Sequence, residues 1–215
     1  MILYWFLLLA IAMLSYGIGS ISTLVLASRY VFKASLRKLG RGNVWFSNFR
    51  RIYKCRGFLL LLLTELVKDS IPILLGGLIL GFKGHADVGR MFAAFCMVLG
   101  RLYPLFYNFK GCHATVAVAL MGLFAAPSVG IVAAIVGLGA TLVTRYLSLG
   151  ALAAAFSMAA VSVLLVDDTL IRNIIFITVG LVFLRHIPSL LRLLRKTEPR
   201  LSFEKDISYK LDEKF

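Results

Sequence analysis

One short segment holds many of the residues that could bind an anion. Between Ser28 and Arg56 the chain carries nine Lys or Arg and no Asp or Glu. In its middle, two glycines flank an arginine in Gly40-Arg41-Gly42-Asn43. Paired glycines allow the backbone to close around a small anion such as phosphate. The residue types therefore indicate recognition of a phosphate-bearing ligand, although such a basic loop can also serve membrane topology alone.

Further polar candidates lie inside apolar segments or where these segments end. They comprise Ser20, Lys68, Lys110, Gly111, His113, Arg145, Ser148 and His186. Singly, each has a structural explanation, since a serine in an apolar helix often bonds its own backbone. Together they offer cations, hydroxyls and a glycine-containing turn, which a phosphate-bearing substrate requires. Lys68 has two interpretations that the sequence leaves open, an ion pair with Glu65 three residues earlier or a substrate contact.

The composition indicates which elements position these residues. The chain has 215 residues, of which 60% are hydrophobic, too many for a water-soluble globule of this size. Its formal net charge of +14 comes from basic residues in loops and in the tail. This distribution fits the anionic inner leaflet of a membrane, so no nucleic-acid partner is expected. The three cysteines follow no metal or disulfide spacing.

Apolar runs predict an all-α polytopic membrane protein with about seven transmembrane helices. The first run is interpreted as an uncleaved span, and six spans are the main alternative because the Ala/Gly/Val-rich stretch 114–162 can be divided differently. A single transmembrane bundle is expected at 1–184 and a charged cytoplasmic tail at 185–215. The predicted spans are 1–27, 57–82, 91–108, 114–126, 128–145, 149–166 and 169–184.

Charge asymmetry predicts the orientation. Short loops rich in Lys and Arg stay in the cytoplasm, which places the loop after the first span inside. By alternation, Lys110, Arg145 and the tail are also inside, whereas Asp87 and Asp168 are outside. The N-terminus is then outside and the C-terminus cytoplasmic.

Six short motifs follow one another along the chain. They are Gly-Ser-Ile-Ser at 19–22, the stretch from Arg37 to Arg51 that includes Gly40, Gly42, Asn43 and Asn48, Glu-x-x-Lys-Asp at 65–69, Phe-Lys-Gly at 109–111, Arg-x-x-Ser-Leu at 145–149, and His186 followed by Arg192. In order and spacing they resemble the motifs of the bacterial acyl-phosphate-dependent glycerol-3-phosphate acyltransferases, a seven-span family of similar length. The chain departs from the family pattern at several positions. Single replacements include Ser22 for a proline, Arg41 for a serine, Ser47 for a threonine, Glu65 for an aspartate, Asp69 for a glycine, Arg101 for a histidine, Ser189 for an asparagine and Leu190 for an isoleucine. In addition, Trp45 and Phe46 replace Gly-Ala, and Cys112-His113-Ala114 replaces Gly-Lys-Gly.

The resemblance implies an activity and a site. A fatty acyl group would pass from acyl-phosphate to glycerol 3-phosphate, giving lysophosphatidic acid for phospholipid biosynthesis. Ser148 and His186 would be the catalytic residues. The substrate-binding residues would be Ser20, Arg37, Gly40, Gly42, Asn43, Asn48, Arg51, Lys68, Lys110, Gly111, His113 and Arg145. The expected partners are the two substrates and membrane lipids, with no cofactor and no metal. We expect a monomer in the bacterial inner membrane with its active face towards the cytoplasm.

The residues themselves favour direct transfer, because the sequence offers no acyl-enzyme nucleophile with a recognisable base and orienting group. Acyl-phosphate is already activated, so positioning and charge neutralisation would suffice. Two other classes compete with the enzyme. The first is a catalytically impaired or regulatory homologue that binds lipid or phosphate, with Trp45 and Phe46 filling the basic loop. The second is a small transporter, which would predict an internal repeat that this sequence does not display.

Overall fold

The structure, a computed structural model, describes residues 2–27, 46–109, 111 and 114–197, with only the backbone at residue 24 and at 46–58. The described residues form helices joined by short turns, which confirms the predicted all-α class. The helices are α1 (Ile2–Ser20), α2 (Thr23–Leu26), α3 (Phe46–Gly81), α4 (Ala86–Leu102), α5 (Thr115–Ala125), α6 (Pro127–Thr144), α7 (Leu147–Leu165) and α8 (Thr169–Leu194). A 3₁₀ turn, Leu105–Tyr107, follows α4.

Five helices in the described ranges are long and apolar enough to cross a membrane. They are α1, α4 with its 3₁₀ turn, α6, α7 and α8. Helix α5 is apolar but has only 11 residues. Helix α3 carries Glu65, Lys68 and Asp69 within its apolar half. Within the described ranges, seven helices of 11 or more residues match the predicted number of apolar segments. The number of spans and the orientation stay predictions.

The boundaries of three predicted spans agree with the structure to within two residues. Helices α5, α6 and α7 lie where 114–126, 128–145 and 149–166 were predicted. Helix α4 instead ends at Leu102, six residues before the predicted end. Tyr103 has φ −130° and ψ 66°, and Pro104 follows it. The proline ring disfavours helical geometry at the residue that precedes it, which favours the early end of α4.

Two charged segments that were predicted to lie outside spans are helical. Helix α3 begins at Phe46 rather than near 57, since no Gly or Pro interrupts the chain before Gly57. Helix α8 continues past 184 to Leu194, so the expected boundary at 185 falls inside a helix. Its buried face continues through Val182, His186 and Ser189, and this burial outweighs the charge of the neighbouring arginines.

The chain divides into two compact units. The first comprises Met1–Ile21 and Lys68–Leu201, and the second comprises Ser22–Val67 and Ser202–Phe215. In the first unit, α4 packs against α1, α5 and α8, and α7 packs against α6 and α8. Small residues allow these helices to approach closely. A Cβ added to Gly137 of α6 would lie 2.7 Å from the Cβ of Ala154 in α7.

Candidate functional site

The end of α1 places Ser20 beside the turn that follows α4. Ser20 is buried, and its Oγ accepts a hydrogen bond from the backbone N–H of Leu105 at 3.4 Å. The Tyr16 hydroxyl donates to the carbonyl oxygen of Tyr103 at 2.7 Å. Gly100 makes this approach feasible, because a Cβ there would collide with the α1 backbone at Tyr16 and Ser20. The predicted site residue Ser20 therefore lies at the junction of α1 with the turn after α4.

Lys68 lies next to this junction. Its ammonium Nζ donates to the carbonyl oxygen of Ile21 at 2.6 Å and lies 3.4 Å from Asp69 Oδ1. The guanidinium of Arg101 in α4 donates from Nη2 to both carboxylate oxygens of Asp69, at 2.7 and 2.8 Å. Lys68 is therefore held close to Ser20, while the proposed pairing of Lys68 with Glu65 stays a prediction.

The turn that leads to Gly111 has an unusual backbone. Asn108 has φ 51° and Phe109 has φ 56°, both in the left-handed region that non-glycine residues avoid. Such strain persists only where the surrounding structure imposes it, often at a functional site. Gly111 fits against the carbonyl groups of Arg101 and Leu102, where a Cβ would collide with them. The guanidinium of Arg185 in α8 donates a hydrogen bond to the Gly111 carbonyl oxygen.

A second strained turn joins α6 to α7. Arg145 has φ 58°, and its N–H donates to the Thr141 carbonyl oxygen at 2.8 Å, which closes the end of α6. Glycine would adopt this left-handed conformation at lower cost. The turn leads directly into the first turn of α7, where Ser148 is buried. The motif Arg-x-x-Ser thus comprises a strained turn and the start of a helix.

Helices α7 and α8 place Ser148 and His186 at the same level. The helices pack together as an antiparallel hairpin joined by residues 166–168. Ser148 lies 17 residues before the end of α7 at Leu165, and His186 lies 17 residues after the start of α8 at Thr169. At 1.5 Å per residue, both are about 25 Å from the connection. The two predicted catalytic residues are therefore level along neighbouring helices.

The hydrogen bonding of His186 assigns its tautomer. The side chain is buried, and its Nδ1 lies 2.8 Å from the Val182 carbonyl oxygen. A carbonyl oxygen only accepts, so Nδ1 carries a proton, and in the neutral ring the lone pair is on Nε2. One turn later the buried Ser189 accepts a hydrogen bond from Arg192 at 2.8 Å. His186 is therefore fixed in orientation by its own helix.

Six of the predicted site residues lie in the first unit with described positions. They are Ser20, Lys68, Gly111, Arg145, Ser148 and His186. Asn48 and Arg51 lie in α3 and belong to the second unit, with only their backbone described. Outside the described residues lie Arg37, Gly40, Gly42, Asn43, Lys110 and His113, together with the loop residue Trp45.

Sequence reasoning did not predict how three residues contribute to this arrangement, namely Asp69, Arg101 and Arg185. The signal for Asp69 was its position in an apolar helix, because a buried charge needs a partner. The sequence did not identify that partner, which lies on another helix 32 residues later. Arg185 was assigned to the start of the tail, whereas it lies inside α8.

The helices and the positions of these residues together indicate a class of protein. The chain is a polytopic α-helical membrane protein in which Ser148 and His186 lie level on neighbouring helices and Lys68 lies beside the end of α1. The family model for glycerol-3-phosphate acyltransferase matches residues 9–196. The chain belongs to the glycerol-3-phosphate acyltransferase family, which confirms the resemblance derived from the motifs.

Relatives named glycerol-3-phosphate acyltransferase align with most of the chain. It is 35% identical to the glycerol-3-phosphate acyltransferase of Pseudomonas putida over 148 residues, covering 68% of this chain and 71% of the relative. It is 24% identical to that of Thermoanaerobacter pseudethanolicus over 196 residues, covering 91% and 96%. A crystal structure of PlsY (YgiH), an integral membrane glycerol 3-phosphate acyltransferase, in its glycerol 3-phosphate form superimposes with a TM-score of 0.79. Its sequence identity is 25%, and the match covers 91% of this chain and 96% of that one.

Proposed function

We propose that the chain transfers a fatty acyl group from acyl-phosphate to the 1-hydroxyl of glycerol 3-phosphate, forming lysophosphatidic acid for phospholipid biosynthesis. The observation that carries the proposal is the α7–α8 hairpin, which places Ser148 level with His186 beside the strained Arg145 turn. The names of the relatives support the acceptor. Crystal structures of the neighbour PlsY in glycerol 3-phosphate and lysophosphatidic acid forms support the acceptor and the product.

In this proposal, cations bind the phosphate groups and a serine orients the acceptor. Lys68 and Arg145 lie in the first unit. Arg51 belongs to the second unit and is proposed as a substrate-binding residue from its motif position alone. Charged donors make short, strong hydrogen bonds to phosphate oxygens. Ser148, in the first turn of α7, adds a hydroxyl, and the N-terminus of that helix favours negative charge. The groups of the first unit would hold glycerol 3-phosphate with its 1-hydroxyl towards the donor.

The proposed chemistry is a direct displacement. The 1-hydroxyl oxygen attacks the carbonyl carbon of acyl-phosphate, and an ester C–O bond forms. The bond from that carbon to the phosphate oxygen breaks, and inorganic phosphate leaves with the electron pair. The hydroxyl proton ends on the phosphate, and the Nε2 lone pair of His186 offers a relay for it. Each turnover therefore produces one ester and one phosphate, with no acyl-enzyme.

An apolar cavity offers a place for the acyl chain. It has a volume of about 300 Å³ and lies among α5, α6 and α7, with Val182 of α8 also in its lining. Its walls are mainly glycine, alanine and larger aliphatic side chains, including Leu147. Leu147 precedes Ser148, and Val182 lies one turn before His186. A chain bound in this cavity would have its reacting end near the proposed catalytic residues.

The proposed setting is the bacterial inner membrane, with the site at the cytoplasmic face and the protein acting as a monomer. The nine basic residues between Ser28 and Arg56 support this orientation. The proposed partners are the two substrates and the surrounding lipids. In this orientation, soluble glycerol 3-phosphate enters from the cytoplasm, while the acyl donor and the product stay associated with the bilayer.

The experiment is a transfer assay with purified protein and radiolabelled glycerol 3-phosphate. Acyl-phosphate and acyl-CoA are compared as donors, and the product is identified by chromatography. We expect labelled lysophosphatidic acid in the reaction with acyl-phosphate and none in the reaction with acyl-CoA. If only acyl-CoA serves as a donor, the proposed donor is wrong, and if neither donor gives product, the proposed activity is wrong.

The catalytic variant is Ser148→Ala. Its matched control is Ser157→Ala on the same helix, where the hydroxyl donates to the Ala154 carbonyl oxygen of its own helix at 2.9 Å.

A further inference from the structure

Two opposite charges lie in the interior of the first unit. The side chains of Asp69 and Arg101 are 0% and 3% exposed. One guanidinium nitrogen of Arg101 contacts both carboxylate oxygens, at 2.7 and 2.8 Å. Removing two charges from water is costly, and an apolar pair of similar volume often stabilises a protein equally well. Stability alone does not account for this pair.

The carboxylate partner in this pair also faces Lys68. Asp69 Oδ1 lies 3.4 Å from Lys68 Nζ, and the same ammonium donates to the Ile21 carbonyl oxygen at 2.6 Å. Residues adjacent in a helix normally point in different directions, so this approach constrains the lysine side chain. Because Arg101 holds the carboxylate of Asp69 in place, it also fixes the position of the negative charge that Lys68 contacts.

The guanidinium partner anchors the end of α4. Arg101 is the penultimate residue of that helix, and the carbonyl groups of Arg101 and Leu102 form the surface on which Gly111 rests. Arg185 secures the other side of the turn through the Gly111 carbonyl oxygen. A shift of Arg101 would therefore displace the turn that carries Gly111.

We propose that the buried Asp69–Arg101 ion pair is a positioning device that fixes both the Lys68 ammonium and the Gly111 turn for phosphate binding. This inference rests on the proposed function. The two positions are also two of those at which the chain departs from the motif pattern, with aspartate in place of glycine and arginine in place of histidine. The two departures contact each other, as expected if each compensates for the other.

The test replaces the ion pair with an apolar pair of similar volume, Asp69→Leu with Arg101→Met. Chemical labelling of lysines, followed by mass spectrometry, measures the reactivity of Lys68 relative to the exposed Lys83. We expect Lys68 to react severalfold faster in the double variant, because its ammonium is no longer held against Asp69. The melting temperature should stay close to that of the wild type. The KM for glycerol 3-phosphate should rise about tenfold, as when one charge-assisted contact is lost.

The matched control removes an ion pair on the surface. Arg90 and Asp87 form an exposed pair at 3.1 Å, and Asp87→Asn with Arg90→Gln should change neither the labelling of Lys68 nor the KM. A folded apolar double variant with wild-type labelling of Lys68 would overturn the inference. If that variant does not fold, Arg101→Lys takes its place. Lysine keeps the charge, but its ammonium lies one bond nearer the backbone than Arg101 Nη2, the atom that makes both contacts to Asp69. Faster labelling of Lys68 then supports the inference, and unchanged labelling overturns it.

The labelling also separates two kinds of failure. A wild-type protein that transfers no acyl group contradicts the proposed function, whereas the reactivity of Lys68 still decides whether the ion pair positions it. An active wild-type protein with unchanged Lys68 reactivity in the double variant contradicts the positioning role alone.

Discussion

Gly111→Ala tests whether the position of the turn after α4 matters for catalysis. A Cβ at this position would lie 2.7 Å from the carbonyl carbon of Leu102 and even closer to the carbonyl oxygens of Arg101 and Leu102. Ordinary contacts between carbon atoms are about 3.5–4.0 Å. These carbonyl groups belong to the backbone at the end of α4 and cannot rotate away as a flexible side chain would. The turn must therefore move by about 1 Å.

A displacement of this size should reduce activity strongly. Misplacing a binding group by about 1 Å can cost about a hundredfold in rate, which corresponds to roughly 2.7 kcal/mol in transition-state stabilisation. The assay measures kcat/KM with acyl-phosphate and glycerol 3-phosphate, together with the melting temperature. We expect a hundredfold lower kcat/KM, to order of magnitude, in a protein that still folds.

Gly139→Ala is the matched control. No atom lies within 4 Å of a Cβ added at this position in α6, so the methyl group should be accommodated. In a helix, alanine is favoured over glycine by about 0.5–1 kcal/mol, so the control should be as stable as the wild type or slightly more so. A wild-type kcat/KM in Gly111→Ala would show that the position of this turn does not matter for catalysis.

Three further predictions concern the catalytic serine, a helix cap and the topology. Ser148→Ala should lower kcat/KM about ten- to a hundredfold through a lost charge-assisted contact, and wild-type turnover would exclude the serine from the site. Asp168→Ala should destabilise the protein by about 1 kcal/mol in thermal unfolding, because its carboxylate caps α8 by accepting from two backbone N–H groups, at 2.8 and 3.2 Å. The neighbouring Asp167→Ala is its control, and equal melting temperatures would refute the cap. Single cysteines at Asn43 and Asp168 should react with an impermeant reagent from opposite sides of the membrane, and labelling from one side would contradict the predicted orientation.

Much of the fold was predictable because long apolar runs and turn residues mark the helices. Pro127 lies at the first position of α6, where proline is compatible with a helix, and Asp168 caps α8. The beginning of α3 and the end of α8 were predicted less well, because charges there suggested loops. Helices with charged ends persist when nothing interrupts the backbone or when one face is buried, and burial depends on neighbouring helices.

The candidate site was predictable in its residue types but not in its geometry. Ser148 and His186 were identified from motifs, and the hairpin geometry places them level. The Asp69–Arg101 pair was not predicted, since pairing between helices depends on tertiary packing. The left-handed conformations of Phe109 and Arg145 were also missed, because the sequence has no glycine at either position to indicate them.

The proposed reaction is direct transfer of the acyl group from acyl-phosphate to glycerol 3-phosphate. The most direct measurement follows inorganic phosphate release and ester formation in the same reaction, with purified protein and both substrates. We expect the two products to appear at equal rates and phosphate release to require the acceptor. Phosphate release without glycerol 3-phosphate, or ester formation without matching phosphate, would contradict direct transfer.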